Sequence, residues 1–135
     1  MSVELFDGRV MAAYAQVGIA DAEDPDSYPQ WDQQTALGAF VTGERGIAVS
    51  AALDADVDVR VLGSWKGDDL KEGEIVEEHL LTSVQITVGN RGVWVGNVTM
   101  DFARLWWPPG PTRVTVYVNA PPEDVTAVTF VLEQI

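Results

Sequence analysis

Valine, threonine and aromatic residues recur at every second position over much of this chain, and a period of two is the signature of a strand with one buried face. Val57, Val59 and Val61 alternate with Asp56, Asp58 and Arg60, and Val114, Val116 and Val118 alternate with Thr115 and Tyr117. Val128, Phe130 and Leu132 alternate with Thr129, Val131 and Glu133; before them, Asn119, Ala120, Pro121, Pro122, Glu123 and Asp124 can only be loop. Val84, Ile86 and Val88 lead into Gly89, Asn90, Arg91 and Gly92, and Val93 and Val95 follow, which reads as a hairpin. Residues 39–42 and 47–53 read as a second hairpin around Gly43, Glu44, Arg45 and Gly46, and residues 10–19 as one long strand. The helix candidate is 32–37, after a loop over 21–30. About eight strands separated by turns in 135 residues, with no repeat and no linker, predict an all-β fold. The expected architecture is a single-domain antiparallel β-sandwich spanning 1–135 with at most one short helix.

Charge is the outlying property. The chain has 21 acidic and 8 basic residues, a net charge of −13. A field of that sign repels nucleic acid and anionic membranes and accelerates encounter with basic partners. Solubility or a salt-adapted composition would produce the same imbalance. No apolar run is long enough to cross a membrane as a helix, and the start, Met1, Ser2, Val3 and Glu4, lacks the basic residues of a secretion signal. With no cysteine, disulfides, thiolate chemistry and cysteine-bound zinc are unavailable, and a cytoplasmic setting is expected.

Catalytic and metal chemistry find little support. Asp54, Asp56 and Asp58 resemble the start of a calcium loop, but the glycine and glutamate such a loop requires are replaced by Val59 and Trp65. Alternation places the three on the wet side of a strand. His79 is the single histidine, and Ser83, four residues on in a strand, lies about 13 Å away. No nucleophile elbow, Walker loop or dinucleotide-binding fingerprint is present. The chain is therefore expected to need no cofactor or metal and not to be an enzyme. The tryptophans are more informative: in Trp106, Trp107, Pro108, Pro109, Gly110 and Pro111, extended backbone would turn one indole inward and the other outward.

Trp31, Gly38 and Phe40, followed by Gly43, Glu44, Arg45, Gly46, Ile47, Ala48 and Val49, resemble the bacterial competence protein J family: a tryptophan, a short polar segment, a glycine, then a hairpin. The resemblance, centred on 31–49, implies an inhibitor that binds a DNA-entry nuclease directly. Trp31 is expected to anchor the loop to the sandwich and Gly38 to cap the short helix.

The leading expectation is an acidic protein-binding inhibitor of a nuclease, of the competence-protein or immunity-protein kind. Its partner would be a basic protein, not nucleic acid or membrane; the oligomeric state is left open. Two acidic loop runs are candidates for contact, Asp21, Glu23, Asp24 and Asp26, and Asp68, Asp69, Glu72 and Glu74, with Trp106 and Trp107 as candidate apolar anchors. The alternatives are a carbohydrate- or small-ligand-binding sandwich using Trp94, Trp106 or Trp107, and an enzyme with an unrecognised site near His79.

Overall fold

The valine alternation becomes strand wherever it is regular. In the computed structural model, which describes residues 2–24, 26–31, 38–64, 79–99 and 102–135, the run at Asp56 extends to Ser64, burying Val57, Val59 and Val61 in alternation and then every residue to Ser64. Numbered along the chain, the strands of one sheet are β1 (Ser2–Met11), β5 (Asp56–Ser64), β6 (His79–Val88), β9 (Gly110–Val118) and β10 (Ala127–Gln134), in the order β1-β5-β10-β9-β6. The other sheet holds β2 (Gln16–Asp21), β3 (Phe40–Gly43), β4 (Gly46–Ser50), β7 (Val93–Gly96) and β8 (Phe102–Leu105), in the order β3-β4-β2-β7-β8. The fold is all-β, as the sequence predicts.

One hydrophobic core joins the two sheets. Val57, Val59, Val61, Val114, Val116, Val128, Phe130 and Leu132 from the first sheet meet Val17, Ile19, Ile47, Val49, Val93 and Val95 from the second. Each such side chain contributes about 1.5–3 kcal/mol on removal from water. Trp107 joins this core, its ring lying over Gly63, where a Cβ would approach to 2.9 Å.

Ten strands are present among the described residues, against about eight expected; β1 and the four-residue β8 are the additions. All pairings are antiparallel except β5 with β10, which run parallel at the centre of the first sheet. The β3–β4 hairpin forms as expected, with Glu44 and Arg45 at its turn. The long strand expected over 10–19 is broken instead by a 3-10 turn, Ala13–Ala15, and the chain passes from one sheet to the other. Buried Ala12 and Ala13 allow the close corner, and Tyr14 and Ala15 take left-handed φ of 55° and 59° without a glycine to announce it.

The second expected hairpin is also corrected. β6 pairs with β9, whereas β7 pairs with β2 and β8, so the turn at 89–92 carries the chain between sheets. Gly92 makes this possible: its φ is +75°, and a Cβ there would lie 2.2 Å from the Leu105 carbonyl oxygen. The helix expected at 32–37, which Gly38 was to cap, lies outside the described residues.

Candidate functional site

The acidic loop following β2 is a strap across the outer face of the second sheet. Small residues on that face, Gly18, Ala20 and Ala48, leave room for Tyr28, which stacks on Trp94 with ring centroids 5.4 Å apart and planes inclined by 12°. Gly18 is required here, because a Cβ would meet the Tyr28 ring at 2.9 Å and the Ile47 carbonyl oxygen at 2.6 Å. Trp31 anchors the loop as expected, packing beside this cluster and donating from Nε1 to Gln16 Oε1 at 2.8 Å. The Tyr28 hydroxyl is buried with no hydrogen-bond partner among the described residues, and burial pushes its pKa well above the usual phenol value.

Of the four acids expected in a loop here, Asp21 is a correction, because it is the last residue of β2. Its side chain is 0% exposed and therefore presents nothing to a partner. Oδ2 accepts from the Arg45 guanidinium at 2.5 Å, and Oδ1 accepts from the backbone N–H groups of Glu23 and Gly89 at 3.1 and 3.0 Å. The Asp21 hydrogen bond raises the Arg45 pKa further. Glu23 is exposed, yet its Oε2 accepts from the Asn90 N–H at 2.7 Å. Asp21 and Glu23 thus hold the inter-sheet turn. Asp26 is exposed and Asp24 half-buried, joined by the Asp26 N–H donating to Asp24 Oδ1 at 2.9 Å. Beside Glu44 they rim an open groove of about 320 Å³. Asp68, Asp69, Glu72 and Glu74 lie outside the described residues.

The adjacent tryptophans divide as alternation requires. Trp107 is 1% exposed and donates from Nε1 to Thr112 Oγ1 at 2.9 Å, so it is a core residue and not the anchor expected. Trp106 is 70% exposed. Trp94 lies beneath Tyr28, so of the three tryptophans considered for a ligand platform Trp106 alone faces solvent. It lines an open groove of about 490 Å³ with Asn90, Arg91, Arg104 and Leu105. Sequence reasoning missed both arginines; the alternation of Arg104, Leu105 and Trp106 was the signal that placed Arg104 and Trp106 on one side.

The catalytic and metal candidates stay dispersed. His79 is exposed at the first position of β6, opposite Val118, while the Ser83 hydroxyl lies 3.1 Å from that of Thr115. Asp54, Asp56 and Asp58 are exposed, and Asp58 pairs with Arg9. Among the described residues, no three histidine or acidic side chains gather as a metal-ligand set, and no helix is long and apolar enough to cross a membrane.

Comparison with known proteins places this fold. No protein-family model matches the chain, and no curated protein matches it by sequence. Among solved structures it is similar to ComJ from Bacillus subtilis, the inhibitor of the DNA-degrading activity of NucA, with a TM-score of 0.65 at 11% identity, covering 100% of this chain and 99% of that one. The chain has the ComJ fold. It is likewise similar to the protein of crocagin biosynthetic gene J, with a TM-score of 0.64 at 11% identity over 98% of this chain and 97% of that one. At such identity the likeness is one of architecture, and it agrees with the family resemblance around Trp31 and the β3–β4 hairpin.

Proposed function

We propose that this chain is an acidic protein-binding inhibitor of a nuclease, working by occupation and not by catalysis. The observation that carries the reading is the end-to-end fold likeness to ComJ, an inhibitor of a DNA-degrading enzyme. Charge supports it independently. A nuclease that grips polyanionic DNA presents a basic cleft, and a molecule of net charge −13 is steered toward it and can set carboxylates where phosphates would lie. The groove-rimming acids Asp24, Asp26 and Glu44 are the described candidates for that role, with Asp68, Asp69, Glu72 and Glu74 as a second run. A single β-sandwich domain, a cytoplasmic setting and the absence of nucleic-acid or membrane binding belong to the same proposal.

The test is capture of partners from a native extract on the immobilised protein, followed by assay of DNA degradation by the captured protein. A nuclease whose activity falls as the chain is added supports the proposal. Capture of proteins with no DNA-degrading activity, or of a nuclease unaffected by excess chain, contradicts it.

A further inference from the structure

We propose that the groove between the 89–92 turn and the end of β8 is a subsite for an acidic segment of the protein partner. Charge is the first reason. In a chain with 21 acids, an arginine is expected to find a carboxylate. Arg9 pairs with Asp58, Arg45 with Asp21 and Arg60 with Glu4, while Arg113 sits directly across the strands from Glu133. Arg91 and Arg104 have no ion pair among the described residues, and both line this groove. They form a basic island on an acidic molecule.

Pre-organisation is the second reason. Arg104 and Trp106 lie on one side of the chain because Leu105 between them turns into the core. Arg91 is carried by the turn that Asp21 and Glu23 hold through the N–H groups of Gly89 and Asn90. Gly92 brings that turn against the Leu105 backbone, so the two walls of the groove are fixed to each other. A partner group entering here meets two arginines whose backbone is already held, so no loop has to be ordered around it.

The chemistry of the lining selects the occupant. Guanidinium forks match carboxylates with paired hydrogen bonds, and arginine and tryptophan are the residue types on which interface energy concentrates. An open groove of about 490 Å³ suits a segment of a folded partner better than an enclosed small molecule. Carboxylates are favoured over a nucleic-acid strand because each added phosphate brings another charge into the repulsive field, whereas one or two carboxylates suffice to engage two arginines. This subsite rests on the inhibitor reading: a basic partner carrying an acidic side chain at one point would be fixed in orientation by it, since a rotated encounter sets like charges together.

The test reads the groove without the partner. The peptide Gly-Glu-Glu-Gly, capped at both ends, is titrated at low salt while the Trp106 indole and arginine Nε signals are followed by NMR, with capped Gly-Gln-Gln-Gly as the uncharged control. Saturable shifts with the glutamate peptide, absent with the control and weakened roughly tenfold or more in R91A/R104A, are expected. The substituted side chains are exposed, and thermal melting verifies that the variant remains folded. No saturable shift, equal response to both peptides, or an unchanged response in R91A/R104A overturns the subsite. Tighter binding of a thymidine dinucleotide at the same signals overturns the choice of a protein segment. Because neither peptide is a nuclease, these outcomes are separate from failure of the inhibition assay.

Discussion

The two sides of the 89–92 turn differ in how their polar groups are satisfied. On the inner side, Asp21 and Glu23 engage Arg45 and the N–H groups of Gly89 and Asn90, and the Asp21 carboxylate is wholly buried. On the outer side, Arg91 and Arg104 stand with Trp106 around an open groove and no described carboxylate closes on them. Polar groups with partners inside the chain hold its shape. Those left facing solvent are the ones a partner can use. Burial likewise separates Trp107, in the core, from Trp106, exposed one residue away.

The comparison breaks most visibly at the tryptophans. Trp107→Ala should cost about 4 kcal/mol in urea unfolding, from the cavity in the shared core and the lost bond to Thr112. Trp106→Ala should change stability by less than about 0.5 kcal/mol. Equal losses would show that the exposed indole is part of the core after all. Next in size, Asp21→Ala should cost about 3 kcal/mol, since it removes the buried partner of Arg45 and strands the N–H groups it caps. Asp26→Asn, a few residues along, should stay within about 0.5 kcal/mol.

Much of this division was legible in the sequence, though not all. Period two placed the inward faces of β5, β9 and β10 and split Trp106 from Trp107, because alternation fixes which side a residue takes. It does not fix which strand lies alongside. Hence the β6–β7 hairpin was expected where the chain changes sheets, and the parallel pairing of β10 with β5 went unseen. A carboxylate in a loop reads the same whether solvated or buried. Asp21 is told apart only by groups far along the chain, among them the Gly89 N–H, 68 residues on. The corner at Tyr14 and Ala15 lacks the glycine or proline that marks such a break.

A smaller stability effect than those at Trp107 and Asp21 concerns the strap. Tyr28→Phe removes a buried hydroxyl without a partner among the described residues, so stability at neutral pH should hold or rise by up to about 1 kcal/mol. The pH dependence is sharper. Burial raises the Tyr28 pKa, so its contribution is fully present below the unfolded phenol value of about 10 and is lost as pH climbs beyond it. The Phe variant lacks that loss, so its margin over the parent should widen in alkaline urea titrations. Parallel curves through pH 11, roughly one unit above the unfolded value, would mean the hydroxyl is not buried.

Under the proposed function, an acidic surface on a ComJ-like fold stops a nuclease by binding it. The most direct measurement is the rate of DNA degradation by the captured nuclease, titrated with the parent chain and with D24N/D26N at two salt concentrations. The account predicts that degradation ceases near one equivalent of parent chain, that salt weakens inhibition, and that D24N/D26N inhibits less with a smaller salt dependence. Degradation that continues in excess chain, or inhibition that arises because the chain binds the DNA itself, would contradict it.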